Sequence, residues 1–296
     1  MVLAGYLGWT PDAFDFFLMV FVLKDIAAEF GVAVGTVTWA ITLTLALRPV
    51  GAFVFGRAAD RFGRRPTLMV DVLLYSLLEL ASGFAPSLAV LLVLRALFGV
   101  AMGGEWGIGA SLTMETIPER SRGLVSGLLQ AGYPSGYLLA SVVYGLLYHS
   151  IGWRGLFMLG VLPALLVLYI RRHVPESAAW ERTRGQRVSI LATIRREWRL
   201  CLYAVILMTA FNFLSHGSQD LYPTYLQVQR HLPTGTVSVI AVVYNIGAII
   251  GGLACGSLSE RFGRRRAIVV AALLALPAVP LWAFTSTPVR SRSGPS

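Results

Sequence analysis

The stretch Gly56-Arg-Ala-Ala-Asp60-Arg61-Phe62-Gly63-Arg64-Arg65 returns 200 residues later as Gly256-Ser-Leu-Ser-Glu260-Arg261-Phe262-Gly263-Arg264-Arg265. An acidic residue, three arginines, a phenylalanine and two glycines keep their spacing, and each copy lies between two long apolar runs. No charged residue occurs from Gly123 to Trp153, from Leu200 to Gln219, from His231 to Ser259 or from Ala267 to Val289. A membrane helix needs about 20 mostly apolar residues to cross roughly 30 Å of hydrocarbon. These runs meet that length. The chain reads as an all-α integral membrane protein with an internal repeat, and the alternating short segments of a β-barrel are absent from the sequence.

Composition agrees. The 296 residues carry 25 Lys+Arg against 15 Asp+Glu, a formal charge of +10, yet only 14% are charged. Soluble domains hold about 25%. A soluble nucleic-acid binder would need far more polar surface, so that class is excluded. Nine spans are expected, near 4–23, 37–56, 67–85, 88–112, 123–147, 154–170, 200–224, 236–256 and 267–284. The loops 57–66, 113–122, 171–199 and 257–266 hold 18 of the 25 basic residues. The opposite loops hold Lys24, Arg154 and Arg230. The positive-inside rule puts the N-terminus and the long 171–199 loop in the cytoplasm. The first span has neither the basic leader nor the small-residue cleavage site of a signal peptide. Cys201 and Cys255 read as free buried thiols, and no residue set calls for a metal or a cofactor.

Both copies of the repeated loop follow the second span of a half. Two parallel repeats imply two bundles related by an axis along the membrane normal. This loop resembles the signature of the major facilitator superfamily, whose members have twelve spans in two six-helix halves. Pro175-Glu176-Ser177 and Arg95-x-x-x-Gly99 look like further family elements. The resemblance implies that Gly56, Asp60, Arg61, Gly63, Arg64, Glu260, Arg261 and Arg264 belong to cytoplasmic gating loops. It also implies that three spans of twelve are missing here, after a polar tail at 285–296. The expected domains are a six-helix bundle at 1–170, a basic cytoplasmic linker at 171–199 and a partial three-helix bundle at 200–284.

Ionisable residues within spans cost about 2.5–3.5 kcal/mol each on insertion scales, so each needs a reason. The first span holds Asp12 and Asp15, the second Arg48, the third Asp71 and Glu79, the fourth Arg95 and Glu105, the seventh His216 and Asp220. In the seventh, Asn212, His216 and Asp220 recur at i, i+4, i+8 on one helix stripe, with Ser215 and Gln219 on the next. This run resembles N-x-x-[S/T]-H-x-[S/T]-Q-D-x-x-x-T, the signature of lactate/pyruvate:proton symporters. At the 200-residue offset Asp12 falls on Asn212 and Asp15 on Ser215, so the two halves present polar groups to one cavity. Gly103-Gly104-Glu105-Trp106 and the acidic first span also resemble the sialate:proton symporter branch.

Depth along the helices pairs Asp15 with Arg48, and Glu79 with Arg95 as a resting partner. Glu105, beside Gly103, Gly104 and Gly107, reads as facing a close helix crossing. A guanidinium offers a carboxylate fixed, paired donors, which makes Arg95 the expected clamp, with Asn212, Ser215, His216 and Gln219 completing the substrate site. Proton coupling falls to His216, Asp220 and Asp15, since an imidazole beside a carboxylate can exchange a proton near neutral pH. The leading expectation is proton-coupled uptake of a small monocarboxylate such as lactate or pyruvate. Sialic acid or another organic acid is the alternative, and a truncated, non-transporting membrane fragment is the reading from another class. The expected partners are a small carboxylate, protons and the lipid bilayer, with no nucleic acid, in a monomer of the inner (plasma) membrane. An enzyme is not expected.

Overall fold

A computed structural model describes residues 2–115, 117–118, 121–183 and 195–284. The described residues form twelve helical segments: α1 (Val2–Phe30), α2 (Val34–Val37), α3 (Trp39–Phe62), α4 (Arg64–Gly83), α5 (Leu88–Met114), α6 (Arg122–Leu159), α7 (Ala164–His173), α8 (Ala178–Thr183), α9 (Trp198–Gln219), α10 (Tyr222–Val228), α11 (Thr234–Phe262) and α12 (Arg264–Phe284). No strand occurs among them. Only a helix satisfies its own backbone in lipid, so the apolar runs have this one solution within a bundle. By length and composition, Val34–Phe62, Arg64–Gly83, Leu88–Met114 and Thr234–Phe262 could each cross a membrane.

The first helix is the exception that explains the packing. Asp12 and Asp15 interrupt its apolar character, yet α1 is buried without a break from Asp12 to Leu23. Neighbouring helices rather than lipid surround it: α1 packs along α6 and against α5, α3 along α5, and α4 along α5 and α6. A helix enclosed this way can carry carboxyl groups that a lipid-facing one could not. The closest crossing is between α3 and α5. At Gly99 and Gly103 an added Cβ would strike the backbone of Thr44 and Arg48, so only glycine permits this approach. Arg95 of α5 is thereby buried in the bundle and Arg48 of α3 half-buried.

The repeat is visible in the backbone. Gly63 and Gly263 end α3 and α11 at φ +108° and +88°, in the left-handed region that glycine tolerates. The reversal between the expected fifth and sixth spans is sharper than a loop. The helix continues through both, with one non-helical residue, Gly152, at φ 63° and ψ −176°. The expected sixth span is then interrupted at 160–163 before α7 begins. The expected seventh span also differs: α9 stops at Gln219, and α10 restarts at Tyr222 and runs past the expected end at 224. Pro223 suits that restart, since its missing N–H falls in a first turn where no partner is needed. Of the 171–199 loop, Trp180 is buried and donates from Nε1 to Asp60 O at 2.9 Å. Residues 184–194 of that loop, and the 285–296 tail, lie outside the described residues.

On the face opposite the repeated loops, Glu29 gathers two elements. Trp153 Nε1 donates to it at 2.5 Å and Arg154 at 2.7 Å, while Arg154 also donates to Gly83 O and Ala85 O. Burial acts to raise the Glu29 carboxyl, but these hydrogen bonds and the Arg154 charge outweigh it and hold the group below the ordinary carboxylate range. A depressed carboxylate contributes stability above its unfolded value and loses it as pH falls through the folded one. Glu29→Gln should therefore lower the melting temperature in detergent at neutral pH. The gap to wild type should close on acidification, and a gap that widens would contradict the assignment.

Candidate functional site

Two polar groupings lie within the bundle. The inner one centres on Arg95, which is 1% exposed. Its Nη2 donates to Glu79 Oε2 at 2.5 Å and to Ser82 Oγ at 2.7 Å, and its guanidinium lies over the Phe98 and Phe157 rings. The Glu79 partner is the one expected from depth. A fully buried pair of this kind is held by its geometry and added hydrogen bonds, because neither charge has water. Arg95 and His216 share no contact among the described residues, so the structure does not bring the expected clamp to the seventh-span stripe.

The second grouping lies where the halves meet. Arg48 is half-buried, with Nε and Nη2 at 3.1 and 2.7 Å from Met102 Sδ and its guanidinium over Phe16 and Trp106. Trp106 stacks on Trp9 with centroids 4.8 Å apart and donates to Asp12 Oδ2 at 2.6 Å. It meets Tyr133 edge to face at 5.5 Å. The Tyr133 hydroxyl lies 3.5 Å from His216 Nδ1, and that nitrogen lies 2.9 Å from Asp220 Oδ2. A chain of contacts thus runs Arg48, Trp106, Tyr133, His216, Asp220 from one half to the other. Phe17 and Tyr137, stacked at 3.8 Å, close one wall.

Several expectations need correction. Arg48 does not pair with Asp15; the carboxylate it acts on is Asp12, and Asp15 points toward Glu79 and Gly160 instead. Depth placed Asp15 and Arg48 at one level but gave no direction around the helix axis. Asn212 is exposed, and its amide donates to Met208 O of its own helix at 2.8 Å, so it does not join His216. The side chains of Ser215 and Gln219 lie outside the described residues. Glu105 faces α1 at Gly8, where a Cβ would collide with Oε1, so the close crossing is with the first helix. The aromatic bridge of Trp9, Trp106 and Tyr133 was missed, and only the Glu105-Trp106 run pointed to it.

A cavity of about 1030 Å³ opens between the ends of α5 and α6 and those of α11 and α12. Ser111, Arg122, Gln130, Cys255 and Arg264 line it, and it reaches Trp9, the residue stacked on Trp106. The aromatic bridge therefore begins at the cavity wall, on the side that carries the repeated loops.

The loops themselves are held by carboxylates over helix starts. Glu176 Oε1 accepts from the Arg64 and Arg65 amides at 3.1 and 3.2 Å, over the N-terminus of α4. Glu260 Oε1 accepts from Leu124 N at 3.0 Å, at the start of α6. Each uses a helix end whose amides lack intrahelical partners. Arg64 pairs with Glu115, which also accepts from Ser177 Oγ. Of the expected gating residues, Arg64 and Glu260 make these contacts, and Arg264 lines the cavity. Asp60 is exposed, its carboxylate has no hydrogen bond among the described residues, and Arg61 lies over the neighbouring Phe62 ring.

A bundle of apolar helices that encloses Arg95, Glu79 and Asp12, with a cavity reaching the aromatic bridge beside them, defines a polytopic membrane protein built around an internal site. The chain belongs to the Major Facilitator Superfamily, which it matches over residues 7–293. It is 32% identical over 280 residues to the probable 4-methylmuconolactone transporter of Cupriavidus pinatubonensis, covering 92% of this chain and 65% of that protein. It is 29% identical to the sialic acid transporter NanX of Escherichia coli (90% and 66% covered) and to a carboxylic acid transporter protein homolog of Saccharomyces cerevisiae (90% and 48%). The chain thus spans 48–66% of the length of these relatives. In fold it resembles the xylose transporter XylE of Escherichia coli in a partially occluded inward-open conformation, at TM-score 0.72 and 19% identity, covering 90% of this chain and 72% of that one. The matched relatives are transporters, not enzymes.

Glu176→Ala should destabilise the chain by about 1–2 kcal/mol, because two helix-start amides and the Ser177 amide lose their acceptor. Asp60→Asn should stay within about 0.5 kcal/mol of wild type. Unfolding in detergent compares the two, and equal effects would reject this division of roles.

Proposed function

We propose that this chain is the substrate-binding and gating part of a secondary active transporter that moves a small organic carboxylate together with protons. What supports the reading is the contact chain from the Arg48 guanidinium to the His216–Asp220 pair, placed beside a cavity between the halves. An anion that passes inward from the cavity at Trp9 would meet, beyond Trp106, the half-buried Arg48 guanidinium, which has no ion pair among the described residues. Guanidinium–carboxylate hydrogen bonds are directional and charge-assisted. His216 and Asp220, sharing a contact of 2.9 Å, can hold one proton between them as a unit. With that proton bound, the anion's charge is balanced at the site. The nearly neutral loaded site then reorients by alternating access.

In this reading residues 1–170 form the N-terminal six-helix bundle, 171–199 the cytoplasmic linker and 200–284 three helices of the second bundle. The chain works as a monomer in the inner membrane with its N-terminus in the cytoplasm, as loop charge implies. Lactate or pyruvate is the favoured substrate, carried by the resemblance of the run from Asn212 to Thr224. A larger, flat organic acid is the second reading. The stacked Trp9 and Trp106 walls favour it, as do the acids in the relatives' names.

Counterflow of labelled lactate, pyruvate and sialate into proteoliposomes separates these substrates; exchange of none of the three would reject the transport reading. Arg48→Ala should weaken carboxylate binding roughly ten- to hundredfold, the loss of about 1.5–3 kcal/mol for hydrogen bonds to a charged group. Unchanged binding would place the clamp elsewhere. Asp220→Asn should abolish accumulation driven by a pH gradient while counterflow persists. Retained accumulation would remove the pair from coupling.

A further inference from the structure

Two carboxyl groups deep among the N-terminal helices take no part in the site above. Asp71 on α4 and Glu105 on α5 are fully buried, and none of their four carboxyl oxygens has a hydrogen-bond partner among the described residues. The Tyr75 hydroxyl, one turn after Asp71, is equally buried and equally unpartnered. It stands within electrostatic reach of Asp12, Asp15, Asp71 and Glu105 together. Gly8 brings the α1 backbone directly against Glu105 Oε1.

The charges around this cluster do not balance. The first helix contributes Asp12 and Asp15, the fourth Asp71 and Glu79, and the fifth Glu105, all fully buried. Against these five stand two guanidiniums. Arg95 is committed to Glu79, and Arg48, on α3, acts on Asp12. From α6 comes only the Tyr133 hydroxyl, beyond Trp106. Asp15, Asp71 and Glu105 are left without a countercharge of their own. An unpaired carboxylate within the bilayer is costly, so each is either a neutral acid or matched by a bound cation. Among the described residues no three His, Cys, Asp or Glu groups converge as metal-ion ligands. Protons, which a carboxyl can hold singly, fit that arrangement and a coordinated cation does not.

We propose that Glu105, Asp71 and the Tyr75 hydroxyl form a second proton-binding site inside the N-terminal bundle, linked through Asp12 to the Trp106 indole, which stacks on the cavity residue Trp9. The link is short. Trp106 follows Glu105 on α5 and donates to Asp12 at 2.6 Å, and the Asp12 charge acts directly on Glu105. An anion that arrives at Arg48 competes with Asp12 for that guanidinium. Asp12 then gains a need for a proton, and the Glu105–Asp71 site is its neighbouring source. This linkage rests on the proton-coupled carboxylate reading of the cavity; the occupancy of the site does not.

Infrared difference spectroscopy of the purified chain in detergent, in H₂O and D₂O, reads the C=O stretch of protonated carboxyl groups without any transport. At neutral pH the wild type should show such bands, shifted in D₂O. Glu105→Gln and Asp71→Asn should each delete one component. Tyr75→Phe, which keeps both carboxyls, should move a component without deleting it, and decides the matter should either acidic variant fail to fold. Bands unchanged in the variants would overturn the site, as would their loss from wild type on adding sodium ions. Bands that behave as expected in a chain that exchanges no carboxylate would reject the transport reading and leave this site standing.

Discussion

A charge enclosed by helices within a membrane has to be matched from inside the protein, and in this chain the Arg95–Glu79 pair is the point where a buried guanidinium meets a buried carboxylate directly. The two side chains sit on adjacent helices, α4 and α5, with Ser82 supplying a second acceptor and two aromatic rings covering the guanidinium. That geometry demands close helices. Gly99, four residues after Arg95, lets the backbone of α3 come into direct contact, and Thr44 of α3 donates to Arg95 O. Remove the small residues and the pair would face a gap filled by lipid or strained side chains. The bundle is thus a consequence of its buried ion pair as much as of its apolar surface.

The same constraint, met only in part, defines the functional region. Arg48 lacks a carboxylate partner at hydrogen-bond distance among the described residues and rests on aromatic faces and a thioether instead. Such contacts hold a guanidinium more weakly than a carboxylate does and leave donors for a ligand. An arginine already bonded to a carboxylate and a hydroxyl makes a good strut and a poor binding group. The contrast between Arg95 and Arg48, two helices apart, is the clearest division in the structure between what holds the fold and what is left for chemistry.

Much of this was legible in the sequence. Span positions followed from uninterrupted apolar runs, and the Arg95–Glu79 pair from equal depth on neighbouring helices. The repeated glycine at 63 and 263 marked two helix ends of the same conformation. Depth, however, is one coordinate of three. It could not tell that Asp12 rather than Asp15 turns toward Arg48, because both lie within one turn of α1. Nor could it reveal that Trp106 and Tyr133, from α5 and α6, stack into one bridge, since aromatic residues in spans are common and their partners depend on tertiary packing. Asn212 failed for a related reason. Its amide satisfies itself on its own helix, an option the i, i+4 pattern does not exclude.

The break in the seventh span gives these parts a mechanical arrangement. Between Gln219 and Tyr222 the helix stops, and Asp220 stands in that interruption with His216 one turn before it. Beyond the break, α10 is fastened to α1: Thr224 Oγ1 donates to Val20 O at 3.3 Å, and Gln227 Nε2 to Phe21 O at 3.4 Å and Tyr144 Oη at 3.1 Å. The two bonds to α1 are made to carbonyls within a helix, so they are additions that can be given up without leaving α1 unsatisfied. The cavity lies at the other end, between α5–α6 and α11–α12, where Glu260 accepts from the start of α6 and Gly127 and Gly256 bring α6 and α11 into backbone contact. One end of the inter-half contact is thus sealed by side chain to backbone bonds, while the other holds the cavity. The titratable pair occupies the joint between the sealed piece and the rest of its span. In the transport reading proposed above, a change in charge on His216 or Asp220 would act at this joint, next to the segment bonded to α1.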